Sequence, residues 1–104
     1  MSKELLKSFL TTCTVDYDTA NYYTNIAYLK DSQGVNIASF DYQTNSGHCD
    51  QVVYITDDTA IKLNKDDVTL IYCYIDEQTS ELRNEKQTII NDAYDVSNEQ
   101  DLYN

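Results

Sequence analysis

Leu5, Leu6, Phe9 and Leu10 fall at i, i+1, i+4 and i+5, one face of a helix that Ser2 can cap and that ends near Cys13. From Tyr22 to Leu29 the period drops to two, with Tyr22, Thr24, Ile26 and Tyr28 on one side. Lys30 to Gly34 is a turn sequence with a glycine free to take positive φ, and Val35 to Tyr42 returns as the partner strand. Residues 22–42 thus read as a hairpin. Gln43 to Asp50 reads as a polar loop, Gln51 to Thr56 as a short apolar strand, and Ala60 to Leu63 is ambiguous. Val68 to Ile75 is apolar on both alternating faces, which predicts a central strand. From Ser80 onward Leu82, Ile89, Ala93 and Val96 recur at helical spacing and predict a second amphipathic helix, with residues 97–104 as a frayed tail. The expected fold is α+β: a mostly antiparallel four- to five-stranded sheet with an N-terminal and a C-terminal helix.

The chain has 104 residues, which is one domain by size. No repeat and no linker divides it. Ten Tyr raise the apolar surface available to a core whose overall hydrophobic content is 41%. The opening Met1-Ser2-Lys3 leads straight into a helical pattern, so no secretory signal is read. No apolar run reaches the length of a membrane span. Three cysteines at wide spacing, Cys13, Cys49 and Cys73, fit a reduced, cytoplasmic chain.

Charge changes the picture most. Eighteen Asp and Glu stand against seven Lys and Arg, a formal net charge of −11. Two Gly, no Pro, no Trp and many Asn and Tyr suggest an AT-rich coding bias, which should also enrich Lys; Lys is nonetheless scarce, so the acidity reads as selected. Such a charge argues against direct binding to nucleic acid or an anionic membrane, and for a basic protein partner. From Asp76 to Asn104 eight acids oppose Arg83 and Lys86. On a helix Glu77, Glu81 and Glu85 form one row at i, i+4, i+8, mutually repelling until something neutralises them. The expected partner-binding residues are therefore Asp76, Glu77, Glu81, Glu85, Asp92 and Asp95, with Tyr94 beside them, because Arg of a nucleic-acid-binding site pairs with carboxylates and stacks on Tyr.

Other candidates carry less. His48-Cys49-Asp50 lies in the polar loop, but adjacent His and Cys point apart and no ligand pair has zinc spacing. Asp16 with Asp18, Asp57-Asp58 and Asp66-Asp67 do not fit a calcium loop and are better read as strand ends and turns. No metal, cofactor or catalytic set is expected, and the chain does not read as an enzyme. In size and composition it resembles small acidic phage-encoded antagonists: anti-CRISPR proteins, anti-restriction proteins and other DNA mimics. That resemblance covers overall character, with no motif aligned. It implies a stoichiometric inhibitor that occupies the cationic nucleic-acid-binding surface of a nuclease or similar protein in the host cell cytoplasm. An immunity protein against a basic toxin nuclease, or a non-inhibitory adaptor or structural protein, are the alternatives.

Overall fold

The computed structural model describes the backbone of residues 3–103 and the side chains of residues 3–93. Its order is α1 (Lys3–Leu10), β1 (Thr14–Tyr17), β2 (Ile26–Lys30), β3 (Asn36–Asp41), β4 (Ser46–Cys49), β5 (Val52–Thr56), β6 (Thr59–Lys62) and α2 (Lys65–Tyr103). The fold is α+β, with an antiparallel four-stranded meander β1-β2-β3-β4, a separate β5-β6 hairpin, and a helix at each end of the order.

Local chemistry sets most boundaries. The first helix buries Leu6, Phe9 and Leu10, while Leu5 stays half exposed. It stops where Thr11 and Thr12 donate their hydroxyls back to the carbonyls of Ser8 and Phe9, a competing local bond that unwinds helix ends. The proposed cap, Ser2, lies outside the described residues. Between β2 and β3 the Asp31 carboxylate accepts from the amides of Gln33 and Val35, and Gly34 adopts φ 85°. Asp41 does the same for Gln43 and Thr44 at the next turn, where Asn45 takes the left-handed φ of 56° that Asn tolerates.

The strands differ from the sequence expectation at several places. Tyr22 to Asn25 are not strand: Asp18 accepts from the amides of Ala20 and Asn21, Asn21 accepts from that of Tyr23, and this side-chain-built loop delays the strand to Ile26. Thr14–Tyr17 is a strand that the sequence reading passed over. The polar loop 43–50 contains β4, which Asp41 turns back onto β3. The ambiguous segment from Ala60 is strand β6.

The largest correction is Val68 to Ile75, which is helix and not a central strand. Asn64 and Asp67 form a reciprocal capping box: the Asn64 amide donates to Asp67 Oδ2 at 3.0 Å, and the Asp67 amide to Asn64 Oδ1 at 2.8 Å. This nucleates α2 in front of a β-rich stretch. Asp66-Asp67, read as a turn, is thus the helix's first turn. Once helical, the inward positions advance by a step of four: Asp67, Ile71, Ile75 and Thr79 are buried, with Lys86 on the same flank further along. The predicted helix from Ser80 exists as the continuation of this one.

The core lies between the inner face of the meander and α2. Ala27, Leu29 and Ala38 meet Ile71 and Ile75, and α1, Val53, Ile61 and Leu63 close the ends. A helix of 39 residues spans about 58 Å at 1.5 Å per residue, so the molecule measures 65 × 24 × 18 Å. Its radius of gyration is 17.5 Å, against about 13 Å for a spherical domain of this size.

One glycine matters for packing. A Cβ built on Gly47 of β4 would stand 2.6 Å from Cζ of Tyr72, whose ring also lies edge-on to Phe40 at 5.5 Å. The Tyr72 ring can lie this close to β4 only because that carbon is missing. Gly47→Ala should therefore cost about 1–3 kcal/mol, as overpacking does. Urea melts of Gly47→Ala, Tyr72→Ala and the double variant would check it. The pair should be clearly less than additive, and strict additivity would show that the two residues do not collide.

Candidate interaction surface

The second half of α2 is attached to the sheet by its two cations. Arg83 lies over the Tyr42 ring, 4.1 Å from the centroid. Its Nε donates to Thr79 Oγ1 at 3.0 Å and its Nη2 to the Asp76 carbonyl at 3.1 Å. Tyr42 in turn donates its hydroxyl to Asp76 Oδ1 at 2.6 Å. Burial and that carboxylate both raise the Tyr42 pKa, so the phenol stays protonated and keeps donating.

Lys86 goes further inside. Only 4% of it is exposed, and its ammonium donates to the backbone carbonyls of Asp18 and Thr24 at 2.7 and 2.6 Å. The Tyr17 ring centroid lies 5.0 Å away, and Tyr17 donates to Asn25 Oδ1 at 2.6 Å. Among the described residues no carboxylate stands within ion-pair distance of Lys86. Carbonyl dipoles and a π face hold the charge instead. These contacts close the 18–25 loop against the helix. They leave a cleft of about 220 Å³ beside Tyr17, Tyr22 and Ile90. The cations beside this cleft are already engaged, so it reads as a joint and not as an anion site.

The consequence is a one-sided helix. Glu77, Glu81, Glu85 and Asp92 are exposed, and neither Glu81 nor Glu85 has a hydrogen-bond or ion-pair partner among the described residues. The expected row of Glu77, Glu81 and Glu85 is present on one helical face. Asp76 differs, since it serves Tyr42 and sits 3.9 Å from Arg83. The side chains of Tyr94 and Asp95 lie outside the described residues.

Much of the remaining acidity is structural. Asp18, Asp31 and Asp41 bind turn amides, Asp67 caps α2, and Asp16 pairs with Lys30 at 2.8 Å. The tyrosines divide similarly: Tyr17, Tyr42 and Tyr72 pack, whereas Tyr23 is 94% exposed and Tyr54 65%.

The register also assembles a row that sequence spacing hides, running Asp16, Tyr28, Ser39 and His48 across the outer face of the meander. At about 4.8 Å per strand, Asp16 is some 14 Å from His48. His48 Nε2 faces Asp50 at 3.8 Å, and the row contains no hydrogen-bonded nucleophile–base pair. No three metal-ligating side chains converge among the described residues. Among them, too, no helix is long and apolar enough to cross a membrane. No family model matches the chain, and no curated protein or solved structure is significantly similar to it.

Two predictions follow from the joint and the thiols. Lys86→Met leaves the Asp18 and Thr24 carbonyls without their donor, and should cost about 2 kcal/mol. Amide exchange in residues 18–25 should speed up together with it; unchanged stability and unchanged exchange would contradict the role given to Lys86.

Burial pushes the Cys13 and Cys49 thiols up to about 11, with Asp31 and Asp50 adding to it, while Cys73 is exposed. A raised folded-state pKa keeps both part-buried thiols neutral at pH 8, and the stability they confer is lost only as pH climbs from about 9 toward 11. Iodoacetamide at pH 8 should therefore label Cys73 first. Faster labelling of Cys49, read by peptide mass, would contradict the raised pKa of its thiol.

Proposed function

We propose that this protein is a small acidic, stoichiometric inhibitor that occupies the positively charged nucleic-acid-binding surface of a target protein, in the manner of a DNA mimic. One observation carries the reading: α2 turns both Arg83 and Lys86 inward onto tyrosines and presents Glu77, Glu81, Glu85 and Asp92 outward without cations between them. A helix that spends its own cations on folding keeps its carboxylates for something else. The net charge of −11 would steer such a partner from a distance, at ordinary ionic strength within about 8–10 Å of the surface.

Magnitudes limit what charge alone does. Glu77 to Asp92 spans about 22 Å of helix, four carboxylates where a DNA strand of equal length places six or seven phosphates. The row is sparser than the polymer it would displace. Competition with nucleic acid therefore needs contacts besides carboxylates, and exposed tyrosines such as Tyr23 and Tyr54 supply apolar area at low entropic cost.

The test is capture and release. A basic protein retained from a lysate on the immobilised chain should be released by a duplex oligonucleotide. Glu81→Lys combined with Glu85→Lys should slow its association at least about tenfold at low salt and flatten the salt dependence. A partner that holds nucleic acid and this protein at once, or that ignores the double reversal, would overturn the proposal.

A further inference from the structure

Leu82, Ile89 and Ala93, read from the sequence as the buried stripe of a C-terminal helix, are exposed in the structure, Leu82 by 39% and Ile89 by 51%. The cause is a mismatch of periods on one helix. The residues that meet the sheet advance by four, from Ile71 to Ile75 to Thr79, and each such step turns the contact about 40° around the axis. Leu82 and Ile89 are seven apart, and a seven-residue repeat slips back about 20° per heptad. The two rows diverge, so the sheet follows Arg83, Lys86 and Ile90 and leaves the seven-residue stripe on an open flank. In sequence, Val96 continues the same interval.

What borders this stripe indicates what covers it. On the side toward the sheet the cations are engaged with Tyr42 and Tyr17. On the other side Glu81, Glu85 and Asp92 run parallel to it, and Ile89 shares a shallow open depression with Glu81 and Glu85. Apolar positions at heptad spacing present the ridge that a second helix receives, and flanking charges choose its identity. A second copy of this chain would bring another row of carboxylates and another charge of −11 to the same seam. A cationic helix brings the missing complement.

We infer that the flank of α2 formed by Leu82, Ile89, Glu81, Glu85 and Asp92 is a docking site for a basic amphipathic helix of the partner, whose apolar ridge covers Leu82 and Ile89 while its Lys and Arg meet the three carboxylates. This rests on the reading of the carboxylate face as the partner-binding surface, and adds the shape of what is bound there. It also supplies the non-electrostatic contact that the sparse row of carboxylates requires.

The probe is a synthetic 21-residue Leu/Lys peptide with heptad apolar spacing, set against a scrambled isomer of identical composition and charge. Binding of both to the full-length protein would be followed by fluorescence anisotropy at low and moderate salt. The amphipathic peptide should bind at least about tenfold tighter than the scramble. Leu82→Ser with Ile89→Ser should erase that preference while leaving the helical circular dichroism intact. Glu81→Lys with Glu85→Lys should weaken both peptides alike.

Equal binding of the two peptides, or a preference that survives the double serine variant, overturns the seam. A dimer in sedimentation that the serine variant dissociates also overturns it, since a second copy then covers the stripe. If the seam fails but charge reversal still weakens both peptides, the carboxylate face stands on its own. If charge reversal changes nothing, that face falls as well.

Discussion

Two cation–tyrosine contacts decide the shape of this molecule. Without Arg83 on Tyr42 and Lys86 on Tyr17, α2 would hold the sheet mainly through its first turns, from Ile71 and Tyr72 to Ile75 and Asp76. The described residues past Thr79 would lose their main anchor, because few of them are apolar and inward-facing. Each contact is worth about 0.5–2 kcal/mol when partly desolvated, and each brings hydrogen bonds that a free side chain would otherwise make to water. The acid-rich half of the helix is thus held in place by the few basic residues it has. The segregation of charge across the helix comes from that arrangement.

How much of this the sequence declares depends on which interactions are local. The turn at Asp31 to Gly34, the strand Asn36–Asp41, the short first helix and the acid row were legible because neighbours in sequence make them. Val68 to Ile75 was not, for a specific reason. A run of Val, Thr, Leu, Ile, Tyr and Cys satisfies a period of two as well as a period near four, and its β-branched and aromatic residues favour the strand reading. The deciding signal was outside the stretch, in Asn64 and Asp67, a box with Asn and Asp where Ser or Thr and Glu are usual. β4 was hidden in the same way: Ser46–Cys49 has almost no apolar content, and its pairing follows from the Asp41 turn.

The candidate site divides along the same line. Glu77, Glu81 and Glu85 could be placed on one face by spacing alone. The inward assignment of Lys86 could not, since its acceptors are carbonyls of Asp18 and Thr24, more than sixty residues away and without any side-chain signature. Nor could the exposure of Leu82 and Ile89, which requires knowing at what angle the sheet crosses the helix. A stripe read from sequence identifies an apolar face but not what lies against it.

The meander pairs only neighbouring strands, so β1 to β4 can zip together as soon as they are made. Yet their inner face has no cover until Ile71 and Ile75 arrive, some 35 residues after Phe40. At translation rates of about 5–20 residues per second, Ala27, Leu29 and Ala38 spend a few seconds facing water on a nascent sheet with open edges. During that window the carboxylates of Asp16, Asp18, Asp31 and Asp41, at the turns and edge of the sheet, are the charges that oppose edge-to-edge pairing.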